Sequence, residues 1–249
     1  MWLEGTSAPL VSRCEVHLNT AGGMGGGIAV DMGAVPVIRD CYIHDNTGST
    51  GGGVCSGAAG GVIEGCTVTG NFATFGGGIA LMSALDVVVT DTRLAWNEAV
   101  HSGGGLYASD SILGVSDCEI EDNSTQGSGG AAWLLNADAL FTATSLLRNS
   151  ADLSTGGILI DTSELTVSSS EIAGNGIALT VLGAGRALAD ARHNWWGHDS
   201  GPYHPTLNPA GLGDTIGDGV QFTPWNVVTG IDSESLVPAS WSAVKAIYR

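Results

Sequence analysis

The stretch Leu94-Ala95-Trp96-Asn97-Glu98-Ala99-Val100-His101-Ser102-Gly103-Gly104-Gly105-Leu106 carries both signatures that organise this chain. The first is an apolar residue three before an asparagine. It recurs as Val16 with Asn19, Ile43 with Asn46, Val68 with Asn71, Ile120 with Asn123, Leu146 with Asn149 and Ile172 with Asn175. The seven asparagines lie 27, 25, 26, 26, 26 and 26 residues apart. The second is a glycine triplet before an apolar residue, at Gly25-Gly26-Gly27-Ile28, Gly51-Gly52-Gly53-Val54 and Gly76-Gly77-Gly78-Ile79. It decays to Gly129-Gly130-Ala131-Ala132 and Thr155-Gly156-Gly157-Ile158 without losing step.

Other columns follow from this register. Cys14, Cys41, Cys66, Thr92, Cys118, Thr144 and Ser170 stand two residues before each apolar position, all small and uncharged. Three residues earlier stand Val11, Ile38, Ile63, Val89, Val115, Phe141 and Val167. Short β-branched runs that alternate in polarity and end at glycines read as strands with one buried face. Proline is missing from residue 37 to residue 201, as hydrogen-bonded strands require. A unit of about 26 residues with no helical period predicts an all-β parallel solenoid of about seven coils. At ~4.8 Å per coil the rod would be roughly 34 Å long. The glycines fit tight corners. Asn19, Asn46, Asn71, Asn97, Asn123, Asn149 and Asn175 are expected to stack as an internal amide ladder.

Composition agrees. Glycine fills 39 of 249 positions, about twice the ordinary ~7%. With 43% hydrophobic residues and a mean hydropathy of +0.22, the chain is no disordered acidic tail. Twenty-five acidic against 8 basic residues, a net charge of −17, exclude a nucleic-acid binder, which needs clustered Lys and Arg. No apolar run approaches the ~20 residues of a membrane span.

The Gly-Gly-x-Ile and Ile-x-x-Asn pairing resembles the right-handed parallel β-helix superfamily of pectate-lyase-like proteins, and within it the repeats of polymorphic outer membrane proteins. The resemblance covers about residues 1–225. Asn194-Trp195-Trp196-Gly197, Ser200-Gly201-Pro202, His204-Pro205, Asn208-Pro209 and Phe222-Thr223-Pro224-Trp225 are similar to the closing segment of secreted bacterial β-helices. The division expected is coils over 1–193, a C-terminal cap over 194–225 in which Trp195 and Trp196 cover the last coil, and a terminal tail over 226–249. The resemblance implies a bacterial protein that is secreted or held at the cell surface. Met1 falls in register with Ile28, in mid-coil, and no signal peptide is present, so the expectation is that signal and first coils lie upstream. A monomer is expected.

Four of the five cysteines share one column, an odd total excludes complete pairing, and no Cys-x-x-Cys spacing suggests zinc. They read as small buried hydrophobes.

Chemistry is expected on the outward columns. One reads Glu15, Tyr42, Thr67, Arg93, Glu119, Ser145, Glu171; its neighbour reads His17, His44, Thr69, Ala95, Glu121, Leu147, Ala173. His17 and His44, beside Glu15 and Asp45, form an acid–base or metal pair on one reading and solvated imidazoles on the other. Asp117, Glu119, Glu121 and Asp122 are the densest acidic group; Ca²⁺ prefers such oxygen ligands, while solubilising charge is the plainer reading. The resemblance implies carboxylates working with an Arg or Lys base, and Arg93 stands one coil from Glu119. Trp2, Tyr107 and Trp133 share a column and either offer rings to the apolar faces of sugars or pack locally under a loop; Trp96, Phe72 and Phe75, near coil corners, could extend either reading. His198, Asp199 and His204 read as structural, and Asp214-x-x-x-Asp218-Gly219 is only a faint cation loop. The sequon Asn123-Ser124-Thr125 falls on the inward ladder.

The coils vary only between 25 and 27 residues, leaving no room for the long inserted loops from which clefts are commonly built. The first functional expectation is therefore a non-catalytic extracellular module for adhesion or glycan contact, with no cofactor. The competing expectation is a polysaccharide lyase, hydrolase or epimerase on the carboxylate and histidine face.

Overall fold

Each coil begins where its glycine triplet releases the chain into a strand. The computed structural model describes residues 1–6, 8–183 and 188–227. Among these the chain winds through four parallel sheets and contains no helix. Sheet A stacks strands from Trp2–Leu3 through Ile28–Val30, Leu106–Ser109, Ala132–Leu135 and Gly213–Ile216 to Pro202–Tyr203. Sheet B runs from Leu10–Ser12 to Val220–Gln221. Sheet C has seven rungs, Glu15–His17 to Glu171–Ala173. Sheet D, which returns the chain to the next triplet, holds Phe72–Phe75, Glu98–Ser102, Ser124–Thr125 and Ser150–Ala151.

The register follows the sequence columns. Trp2 pairs with Ala29, Glu15 with Tyr42, Arg93 with Glu119 and Tyr107 with Trp133. Alternate side chains therefore stack inward, and Ile38, Ile43, Leu94, Ile120, Phe141 and Leu146 lie fully buried in one continuous core. Cys41, Cys66 and Cys118 are buried and free, with burial raising their thiols: to about 11 at Cys66 and about 12 at Cys118. They are packing residues, as their column suggested.

The corners use two devices. In the triplets, the first glycine has positive φ and the next two lack room for a side chain. A Cβ on Gly104 would lie 2.4 Å from the Ser124 carbonyl oxygen of the next rung. At either end of each sheet C strand, a single residue turns the chain through the left-handed region. These are Arg13, Asp40, Gly65, Asp91, Asp117, Ala143 and Ser169 on entry, and Leu18, Asp45, Gly70, Trp96, Asp122, Arg148 and Gly174 on exit. All have φ between +47° and +74°. Asp tolerates this region better than most side chains because it can hydrogen-bond locally.

The asparagine ladder runs as expected. In each internal rung Oδ1 accepts from the backbone N–H and the Nδ2 of the preceding asparagine, as where Asn71 meets Asn97 (3.1 and 3.0 Å). Asn123 is fully buried within it, so its sequon is unavailable. The ladder does not end at Asn175. Asp214, arriving 39 residues later, accepts from Asn175 N (2.7 Å), Asn175 Nδ2 (3.1 Å) and Gly174 N (3.0 Å). The faint cation loop of the sequence is thus the terminal acceptor of the ladder.

The closing segment is partly solenoid itself. Ile177–Leu182 and Leu188–Asp190 continue sheets A and B within residues 1–193, and Gly213–Ile216 and Val220–Gln221 add to the same two sheets from the closing segment. Trp196 is fully buried there and Trp195 bridges to Glu171. His204, also buried, accepts at Nδ1 from Leu207 N (3.1 Å) and faces Asp218 at 3.2 Å through Nε2. Of the terminal tail, residues 228–249 lie outside the described residues.

Candidate functional site

The sheet C face gathers the expected histidines and carboxylates, but it ties them to one another. His44 hydrogen-bonds Asp45 through Nδ1 (2.6 Å) and Glu15 through Nε2 (3.0 Å). Its ring stacks on His17 (centroids 5.0 Å, 10° apart) and on Tyr42 (4.0 Å). The bond to Asp45 above all holds His44 above the ordinary histidine range; desolvation opposes it, and the bond to Glu15 adds a smaller upward push. An imidazole with a carboxylate on each nitrogen is stabilised as the cation and has no free lone pair to offer as a base or a metal ligand.

The acidic group is likewise occupied. Glu121 sits between Arg93 (2.6 Å) and Arg148 (2.5 Å), contributed by the rungs on either side. Arg148 also grips Asp122 (2.8 Å), while Glu119 stands 3.6 Å from Arg93, whose guanidinium lies 4.7 Å from the Trp96 ring centroid. Asp117 and Asp122 are the left-handed corner residues described above. The structure therefore brings Arg93, Glu119 and Glu121 together as expected, in an ion-pair ladder in which Arg93 and Arg148 engage three of the four carboxylates considered for Ca²⁺, Glu119, Glu121 and Asp122. Among the described residues, no three His, Cys, Asp or Glu side chains form a group that could hold a metal ion. Glu171, at the end of the same column, is pushed up by burial, with Arg148 opposing.

The aromatic column divides. Trp2 is more than half exposed, bonds its own Glu4 (2.9 Å), and lies four rungs from Tyr107, about 19 Å at ~4.8 Å per rung. Tyr107 and Trp133 meet edge-on with centroids 6.5 Å apart. Phe75 joins them from sheet D, 5.3 Å from Tyr107 and 5.5 Å from His101.

Tyr107 packs behind Phe75 and Trp133, which border a cleft of about 560 Å³ whose lining is completed by Val100, His101, Ser102, Gln126, Gly127, Ser128 and Leu153. Its size falls within the roughly 300–1,000 Å³ of small-ligand sites. Its origin is a missing side chain. His101, Gly127 and Leu153 hold equivalent positions on three successive rungs, two residues before each triplet position. A Cβ on Gly127 would fall 1.7 Å from the His101 carbonyl oxygen, so the middle rung stays bare between two large neighbours.

Two buried polar atoms on cleft residues, Ser102 Oγ and Trp133 Nε1, have no hydrogen-bond partner. Sequence reasoning found Tyr107 and Trp133 and named Phe75 as a corner residue that could extend their reading, but missed His101, Ser102, Gln126, Ser128 and Leu153 altogether. The available signal was the size sequence His101, Gly127, Leu153 in a column that is otherwise small.

A parallel solenoid with an internal asparagine ladder and a cleft on one flank defines the class of protein. Residues 1–146, more than half of the chain, match the model of the family described as right handed beta helix region, and the chain belongs to that family. No curated protein and no solved structure matches it. Among the described residues no helix is long and apolar enough to cross a membrane.

Proposed function

We propose that this protein is an extracellular β-helix module that contacts glycans through the cleft beside Phe75 and Trp133 without turning them over. The observation that carries this reading is the cleft itself: an apolar, aromatic-edged recess on a rigid scaffold, with the polar side chains of His101, Gln126 and Ser128 on its lining. Apolar sugar faces pack on aromatic rings, and a few fixed polar groups orient the ring in such sites. The face that catalysis would use supports the same reading, because its best base and its carboxylates are already engaged with one another.

One observation favours the enzymatic alternative. Glu171 is a carboxyl whose affinity for its proton is raised by burial, in the same outward column as Glu119, and a general acid is commonly tuned in this way. Incubation with neutral and uronic-acid polysaccharides, with and without Ca²⁺, separates the two readings. Binding without new reducing ends or unsaturated products, weakened at least tenfold by Tyr107→Ala or Trp133→Ala, is the expected result. Turnover abolished by Glu171→Gln or Glu119→Gln would overturn it.

A further inference from the structure

We infer that the outward face of sheet B is an interface between two copies of this chain, packed face to face with their rods antiparallel, in place of the monomer expected from the sequence.

Six successive strands present this face: Leu10–Ser12, Val37–Arg39, Gly61–Glu64, Val87–Thr90, Ile112–Ser116 and Asp138–Thr142. Their registers align one outward column, Leu10, Val37, Val62, Val88, Gly114 and Leu140. It contains no polar side chain. Leu10 and Leu140 are 64% and 48% exposed, and Val88 also stands in solvent. The outward column two residues earlier adds exposed Val35 and Ile112. Two residues later runs a polar border whose groups engage one another, Arg39 with Glu64 (2.8 Å) and Ser116 with Thr90 (3.1 Å). A contiguous apolar patch with a polar rim marks an interaction site. The face shares no residue with the cleft.

The order of sizes along the column selects the occupant. A two-fold axis parallel to the strands, between the third and fourth rungs, sets rung one of each copy against rung six of the other, two against five, and three against four. Leu10 then meets Leu140, Val62 meets Val88, and Val37 meets Gly114. Gly114 is the gap in the column, and it is open: a Cβ there would have nothing within 4 Å. In the earlier column Val35 meets Ile112, and the exposed carboxylate of Asp86 meets Gly60. In the border Arg39 meets Ser116, and Glu64 meets Thr90. No carboxylate of these three columns opposes another. Moving the axis onto the fourth rung would set Asp86 against Asp86.

The size of the face sets the strength. Six rungs at ~4.8 Å and five residues at ~3.3 Å give roughly 480 Å² per copy. The total, about 1,000 Å², is the lower limit for a specific interface, so the dimer is weak. Two chains of net charge −17 also repel, and salt screens that repulsion. Added salt should therefore tighten this dimer, whereas it would loosen a cationic partner.

Sedimentation velocity over about 1–1,000 µM protein tests the inference. A reversible dimer is expected, with Kd on the order of 100 µM and tightening as NaCl is raised. Leu10→Lys and Leu140→Glu are each expected to weaken it about tenfold or more, because each sets an unpaired charge against a leucine. Combined in one chain, they place each Lys opposite a Glu of the other copy, and the dimer should return to within about threefold of the parent. Both positions are exposed, so thermal melts of dilute protein should show the fold intact. Val88→Lys provides a second disruption, against Val62 of the other copy.

A chain that stays monomeric throughout, a dimer indifferent to the single substitutions, or a double variant that fails to recover would overturn the inference. So would binding of phosphatidylcholine vesicles or of an amphipathic Leu/Lys peptide to this face by a chain that remains monomeric.

Discussion

At the scale of the residue, one atom decides how a rung ends: the side-chain oxygen of asparagine. Asn97 Oδ1 accepts two bonds from Asn71, while Asn97 Nδ2 donates to Val68 O (2.9 Å) and to Asn123 Oδ1 (3.0 Å). Asn97→Ala would leave the N–H and Nδ2 of Asn71 and the Oδ1 of Asn123 short of partners in a fully buried site. At about 1–3 kcal/mol for a stranded group, a loss of roughly 3 kcal/mol or more is expected in urea unfolding. A loss under about 1 kcal/mol would mean that the ladder is not the working element of the corner. The ladder could be read directly in the sequence because its period is fixed. Its terminus could not, since Asp214 belongs to no repeat. The ion pairs of Glu121 were legible only in part: the register sets Arg93 one coil from Glu119 and Glu121, while Arg148 stands in another outward column, at a left-handed corner.

At the scale of the element, a strand of three or four residues works because its register is exact to one residue. In sheet B, Val89 points inward and is fully buried, while Val88 beside it is 40% exposed. A slip of one residue would exchange these faces. Val89→Lys is therefore expected to unfold or strongly destabilise the protein, since it buries an unpaired charge. Val88→Lys should change stability by no more than about 0.5 kcal/mol. Similar costs for the two in thermal melts would contradict the register. The alternation of such strands was legible because the two-residue period and the 26-residue period reinforce each other over seven rungs. Sheet D was not, because its strands are short and defined by neighbours rather than by pattern. The cleft it borders depends on an absence at Gly127, which a search for conspicuous residues passes over.

At the scale of the whole molecule, the surplus of carboxylates sets the response to pH. His44 is raised by Asp45 and Glu15, so its contribution to stability is full below the unfolded histidine value and is lost as pH rises through its folded value. Glu171 and Asp214 are raised by burial, so their ionised forms weaken the fold, and that cost is relieved as pH falls toward their folded values. Asp110 and Asp190 are lowered by their partners and give up their contributions only below the ordinary aspartate range. The melting temperature is therefore expected to be higher at pH 5.5 than at pH 8, with a smaller difference in His44→Gln. A fall on acidification to pH 5.5 would contradict these assignments. The central claim, that the cleft at Phe75 and Trp133 contacts a glycan, is tested most directly by following indole N–H signals in ¹H–¹⁵N spectra, with the Trp133 peak assigned through Trp133→Phe. Titration with a neutral hexasaccharide should move the Trp133 peak progressively and leave that of distant Trp2 in place. An unmoved Trp133 peak while binding proceeds elsewhere would contradict the account.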